Sequence, residues 1–109
     1  MTFEDYQKKS RTTALYPSVG HPVVYPALGL GDEAGEVLGK IKKLFRDDQG
    51  ELTLERKADI KKELGDVLWY LTQVATELDI SLEELAEANL EKLLSRKERG
   101  ALTGDGDNR

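Results

Sequence analysis

The sequence predicts an all-α protein, a four-helix antiparallel bundle whose core is completed by oligomerisation. Three observations carry this. No segment alternates apolar and polar residues as a half-buried strand does. Apolar residues instead recur at helical spacing between capping and breaking signals, and short links between helices make antiparallel neighbours. Phe and Trp are scarce, two and one in 109 residues, so long amphipathic helices lack the bulk to close a core alone. The length fits one domain, placed at 1–100, followed by a tail at 101–109.

Thr2 with Asp5 forms a capping-box pattern, which starts a first helix expected from about Phe3 to Leu15. Pro17, Gly20 and Pro22 make the stretch from Tyr16 to Tyr25 irregular. Pro26 suits the first turn of a second helix reaching about Arg46. The run DDQGE breaks the pattern at Asp47 to Glu51, and Thr53 can cap a long third helix ending at Leu78. Asp79 and Ile80 form a short connection. Ser81 with Glu84 repeats the capping pattern for a fourth helix, which runs from Leu82 to about Glu98 and stops at Gly100. The ending GALTGDGDNR has no apolar periodicity and reads as a flexible tail.

Composition excludes several classes. With 21 acidic and 16 basic residues the formal charge is -5, which argues against nucleic acid or an anionic membrane as a partner. There is no cysteine, hence no disulfide, thiolate metal site or cysteine nucleophile. The single histidine, His21, rules out a site built from two imidazoles of one chain. MTFEDYQKKSR carries no apolar signal stretch and no run is long enough for a membrane span, so the expected location is cytoplasmic. DDQGE lacks the ligand spacing of a calcium loop, and no Gly-x-x-x-x-Gly-Lys phosphate loop is present.

The informative feature is a repeat. Helix two contains Glu33-Ala-Gly-Glu36-Val-Leu and helix three contains Glu63-Leu-Gly-Asp66-Val-Leu. On a helical wheel each second acid lies about 60° from the first. Both pairs border an apolar stripe: Ala34, Val37, Leu38, Ile41 and Leu44 in one helix, Ile60, Leu64, Val67, Leu68, Leu71, Val74 and Ala75 in the other. Antiparallel packing of those stripes brings four carboxylates together at one end of the seam. Like charges that close repel and raise one another's pKa, so the convergence needs a reason. A single acidic pair is ordinarily a solvated face; its recurrence at matching positions is what points to a site. Hard divalent cations supply the reason, because Mg²⁺ and Mn²⁺ prefer oxygen ligands and share their shell with waters and phosphates. Di-iron bundles need Glu-x-x-His, which is missing here.

Glu-x-x-Glu, a spacer, then Glu-x-x-Asp on paired helices resembles the MazG-like, all-α nucleoside triphosphate pyrophosphohydrolases. GLGDEAGEVLGKIKKLFRD, KKELGDVLWYL and ANLEKLLSRKERG extend the resemblance from about Leu28 to Gly100. It implies Mg²⁺-dependent cleavage, with Mn²⁺ as a substitute, between the α- and β-phosphates of a (deoxy)nucleoside triphosphate, giving monophosphate and pyrophosphate. It carries Glu33, Glu36, Glu63 and Asp66 over as metal ligands, and implies a homodimer or homotetramer with sites near subunit contacts. Glu36 is assigned the further role of taking the attacking water's proton. Two alternatives stand beside this reading: a phosphoribosyl-ATP pyrophosphohydrolase, and a non-catalytic helical dimerisation module.

Five residues are expected to meet substrate. Lys40 lies almost in line with Glu33 on the wheel, although a lysine there also suits a snorkelling surface role. Asn89, Lys92 and Arg96 share one face of helix four, where the family places an Asn and a basic residue. Tyr70 sits on the acidic face at the stripe's edge and can hydrogen-bond a ligand or stack on a base. Trp69 points away from the first apolar arc and is expected at a subunit contact, with a base platform second. His21 reads as an ordinary loop histidine.

Overall fold

The computed structural model describes residues Met1 to Arg109 and is all-helical, with α1 (Phe3–Arg11), α2 (Val24–Asp47), α3 (Leu54–Glu77) and α4 (Leu82–Glu98) and no named strand. Local chemistry sets most boundaries. Thr2 and Asp5 form the reciprocal capping box on α1, and the hydroxyls of Thr53 and Ser81 accept the Arg56 and Glu84 amides at the starts of α3 and α4. At the other ends Asp79 (φ 59°) and Gly100 (φ 68°) take the left-handed conformation. There the Ile80 and Ala101 amides reach back to the Ala75 and Arg96 carbonyls, and the last turns close as Schellman motifs.

Two boundaries differ from the sequence expectation. α1 stops at Arg11 rather than Leu15, because the Thr12 and Thr13 hydroxyls donate to the Lys9 and Ser10 carbonyls, offering the backbone an alternative to another turn. α2 begins at Val24, two residues before Pro26. Proline is tolerated there because the first-turn amides have no intrahelical acceptor. His21 is spent locally: its Nδ1 accepts the Val23 amide at 3.0 Å, ahead of α2.

α2 and α3 pair along their length as the dominant packing of the chain. Gln49 and Gly50 turn the link between them at positive φ, and Arg56 pins it through Asp48 at 2.5 Å and Asp47 at 3.5 Å. α1 wedges between α3 and α4. Gln7 donates to the Thr76 hydroxyl and the Ile80 carbonyl while its side-chain oxygen accepts the Leu82 amide. Ser10, Gln73 and Arg11 continue this polar spine, Arg11 also pairing with Glu77 and Tyr16, and no buried side-chain N or O lacks a partner. α4 therefore rests chiefly on α1 and leaves much of α2 and α3 uncovered.

The apolar arcs accordingly split. Leu44 and Ala75 are buried, while Leu38 is 71% exposed, Phe45 68% and Leu64 53%. Leu90 and Leu94 of α4 are also exposed. The radius of gyration is 16.9 Å, against about 13 Å for a closed domain of this size. The 101–109 segment folds back on α4: Asp107 meets Lys92 and Arg96, and the Arg109 guanidinium donates to the carbonyls of Ala101, Leu102 and Gly106.

Candidate active site

Antiparallel pairing of α2 and α3 brings Glu33, Glu63 and Asp66 together, each offering a carboxylate oxygen within 4.8 Å of the others. Glu33 and Glu63 are partly buried and Asp66 is exposed. Burial first, and then the charges of Asp66, Asp32, Glu63 and Glu36, push the Glu33 carboxyl above the usual carboxylate range. Three carboxylates from two helices, all oxygen donors with neither imidazole nor thiolate, fit a hard divalent cation. Glu36, one turn beyond Glu33, is exposed and stands outside this trio, although its charge still bears on Glu33. Lys40 faces the site as its wheel position predicts, with Nζ 4.0 Å from a Glu63 oxygen.

Beside the acids lies an aromatic pocket of about 160 Å³, lined by Thr13, Leu15, Tyr16, Pro17, Tyr25, Trp69 and Tyr70. Tyr16 and Tyr25 stack at 5.8 Å, and Trp69 meets Tyr16 and Tyr70 edge-on at 6.2 Å and 5.0 Å. The Trp69 indole donates to the Thr13 hydroxyl at 2.9 Å. Trp69 is thus engaged inside its own chain, in the wall of this pocket. Tyr70 joins the two halves of the site. It lines the pocket, and burial, then Tyr25, then the charges of Glu33, Asp32 and Asp66, raise its phenol pKa. Its ring lies against Gly29, where any Cβ would collide with it. Gly29 is required by that close approach.

Stretch 27–100 matches the MazG nucleotide pyrophosphohydrolase domain. The chain belongs to the MazG family. It is also 44% identical, over an alignment of 114 positions spanning all of both chains, to the "Gene 37 protein" of Mycobacterium phage L5. No solved structure matches. The MazG match takes in both acidic pairs and all of α4, and it begins after the segment that supplies Tyr16 and Tyr25.

The α4 candidates sit elsewhere. Asn89 and Lys92 border an open cleft with Ile80, Glu84, Leu85 and Ala88, away from the acids of the same chain. Lys92 pairs with Asp107 at 2.9 Å, and the buried Arg96 guanidinium donates to the Asp107 carbonyl. Tyr6 was missed by sequence reasoning. It comes from α1, yet the Asp66 charge, after burial, lifts its phenol pKa, so it lies within electrostatic reach of that acid. Asp32, adjacent to Glu33 in the chain, is a neighbour that the repeat alone did not select. Nothing local marks Tyr6, because its position depends on how α1 docks on α3.

Proposed function

We propose that this chain hydrolyses a (deoxy)nucleoside triphosphate between the α- and β-phosphates, releasing monophosphate and pyrophosphate, with Mg²⁺ held by Glu33, Glu63 and Asp66. The observation that carries the reading is the convergence of these three acids within 4.8 Å, inside the matched region. A bound Mg²⁺ would neutralise polyphosphate charge and make water a better nucleophile. The remaining steps belong to side chains. Lys40, the cation beside Glu63, takes a phosphate oxygen of the substrate. Glu36 stands outside the trio and faces solvent, so its carboxylate is free to accept the attacking water's proton as general base. The aromatic pocket gives the nucleobase rings to stack on, and Tyr70, shared by pocket and acids, orients the nucleoside between them.

The exposed faces of Leu38, Phe45 and Leu64 on α2–α3, with Leu90 and Leu94 on α4, argue for assembly with further copies, as a homodimer or homotetramer. In that assembly Asn89, and Lys92 and Arg96 once released by Asp107, serve the phosphates of a neighbouring copy's site. The deciding experiment is product analysis from a nucleotide panel with and without Mg²⁺. Pyrophosphate and monophosphate as first products support the reading. Orthophosphate appearing first overturns it, activity confined to phosphoribosyl-ATP redirects the substrate, and no turnover under any condition leaves a helical assembly module.

A further inference from the structure

The acidic cluster is under-compensated. Three carboxylates lie within 4.8 Å of one another, and Asp32 and Glu36 add to the charge that Glu33 experiences. Against this, Lys40 is the one cation paired with the trio, its Nζ 4.0 Å from the Glu63 carboxylate. The two side chains retain only 25% and 19% of their exposure, so the attraction is less screened than at an open surface. Lys40 sits on α2 and Glu63 on α3, so the pair also crosses the seam that builds the site.

Resting on the reading above, we infer that Lys40 is a built-in counter-ion that competes with the metal for Glu63 and changes partner to substrate phosphate once the metal is bound. Two cations cannot both sit close to one carboxylate group without repelling each other. A divalent ion that engages Glu63 must therefore displace the ammonium or bind against its charge. When a metal–polyphosphate enters, the displaced ammonium gains a new anionic partner on the same side of the site. Lys40 thus opposes metal binding when substrate is absent and favours binding of the complex when substrate is present. That makes metal and nucleotide binding mutually reinforcing, a coupling carried by one side chain, and linkage requires it to be reciprocal. The four-carbon stem supplies the reach, and the compact, rotatable ammonium makes the exchange without a change of backbone.

The test is Lys40→Met, which keeps the stem and removes the charge, compared with Lys40→Arg. Mn²⁺ alone is titrated into each full-length protein by calorimetry, and again in the presence of a nucleotide analogue with a non-hydrolysable α–β bridge. For Lys40→Met we expect Mn²⁺ alone to bind roughly fivefold to tenfold tighter than to wild type, and the analogue's enhancement of Mn²⁺ binding to shrink by a similar factor. KM for the Mg²⁺–nucleotide rises in the same variant, so the two affinities move in opposite directions. Lys40→Arg keeps the wild-type pattern in sign. Mn²⁺ affinity unchanged or weakened in a folded Lys40→Met protein overturns the inference. Should Lys40→Met not fold, Lys40→Gln takes its place under the same criteria. Failure of the underlying reading looks different, because wild type itself would then bind no Mn²⁺.

Discussion

The molecule handles charge in opposite ways at two of its charged clusters. Between α2 and α3, Glu33, Glu63 and Asp66 crowd together, and Glu33 is pushed above the ordinary carboxylate range. On α4, Lys92 and Arg96 meet the chain's own Asp107, whose carboxyl is drawn below its usual value, first by the hydrogen bond from Lys92. The first arrangement keeps like charges together at a cost in stability; the second neutralises itself. A fold gains nothing from the first, which is why the proposed reading assigns the cluster to a metal. Charge density alone is uninformative in a chain that is 34% charged. Crowding of one sign is the informative signal.

The largest test of this contrast removes the crowded acids singly. Glu33→Ala, Glu63→Ala and Asp66→Ala should each lower turnover by about 100-fold or more, since each takes away a charge held for the transition state. Glu55→Ala, at the exposed start of α3, should leave turnover within a few-fold of wild type. Glu36→Ala sharpens the picture. It should lose a similar factor in turnover while binding Mn²⁺ as wild type does, because Glu36 lies outside the trio. Loss of Mn²⁺ binding in that variant would make Glu36 a ligand instead. Wild-type turnover in all four site variants would break the comparison outright.

A smaller effect concerns the wall that joins pocket and acids. Gly29→Ala drives a methyl group into the Tyr70 ring, and should cost about 1–3 kcal/mol of stability. It should also change Trp69 fluorescence, because Trp69 rests edge-on against that ring. An unchanged melting temperature with unchanged emission would mean that Tyr70 does not occupy this position.

Smaller still is the release of like-charge repulsion. In chelator, Glu33→Gln should be more stable than wild type by about 1 kcal/mol, the variant keeping shape while removing the charge its neighbours oppose. In excess Mg²⁺ the order should reverse. Preferential binding to the folded state gives wild type up to ~2.7 kcal/mol at a hundred times the dissociation constant. Thermal unfolding in both buffers reads this, and equal shifts in the two proteins would remove Glu33 from the metal site.

The four helices were legible because their signals are local: the hydroxyl caps at Thr2, Thr53 and Ser81, the breaks around Gly50 and Gly100, and stripes at helical spacing. The acidic cluster was legible because a repeat on two helices that pair antiparallel needs only one long-range fact. Three of its four acids converge as the spacing predicts. Glu36 does not join them, although Asp66, its counterpart in the repeat, does. Tyr6, Tyr16 and Tyr25 were not legible as site residues. Their positions follow from α1 docking through Gln7 and from the irregular segment after it, and neither feature has a period to read. The early end of α1 was hidden for a related reason. Threonine hydroxyls that bond back to the chain look, in sequence, like any other helix residues.

The smallest effect tests the other half of the comparison. Asp107 is fully exposed, so its pairing with Lys92 and Arg96 holds the tail in place without adding measurably to global stability. Because its carboxyl is lowered in the folded protein, docking is complete above the ordinary aspartate range and is lost as pH falls through the depressed value. Acidification should therefore free residues 102–109 before α2 and α3 unfold, and Asp107→Asn should free them at neutral pH with a melting temperature close to wild type. Backbone order parameters from ¹⁵N relaxation check both, falling below about 0.6 in the tail while the helices stay near 0.85. The Arg109 guanidinium, bonded to three tail carbonyls, sets the competing outcome. If the tail stays rigid in acid and in Asp107→Asn, the Arg96 bond to the Asp107 backbone carbonyl and the Arg109 bonds hold it rather than the ion pair.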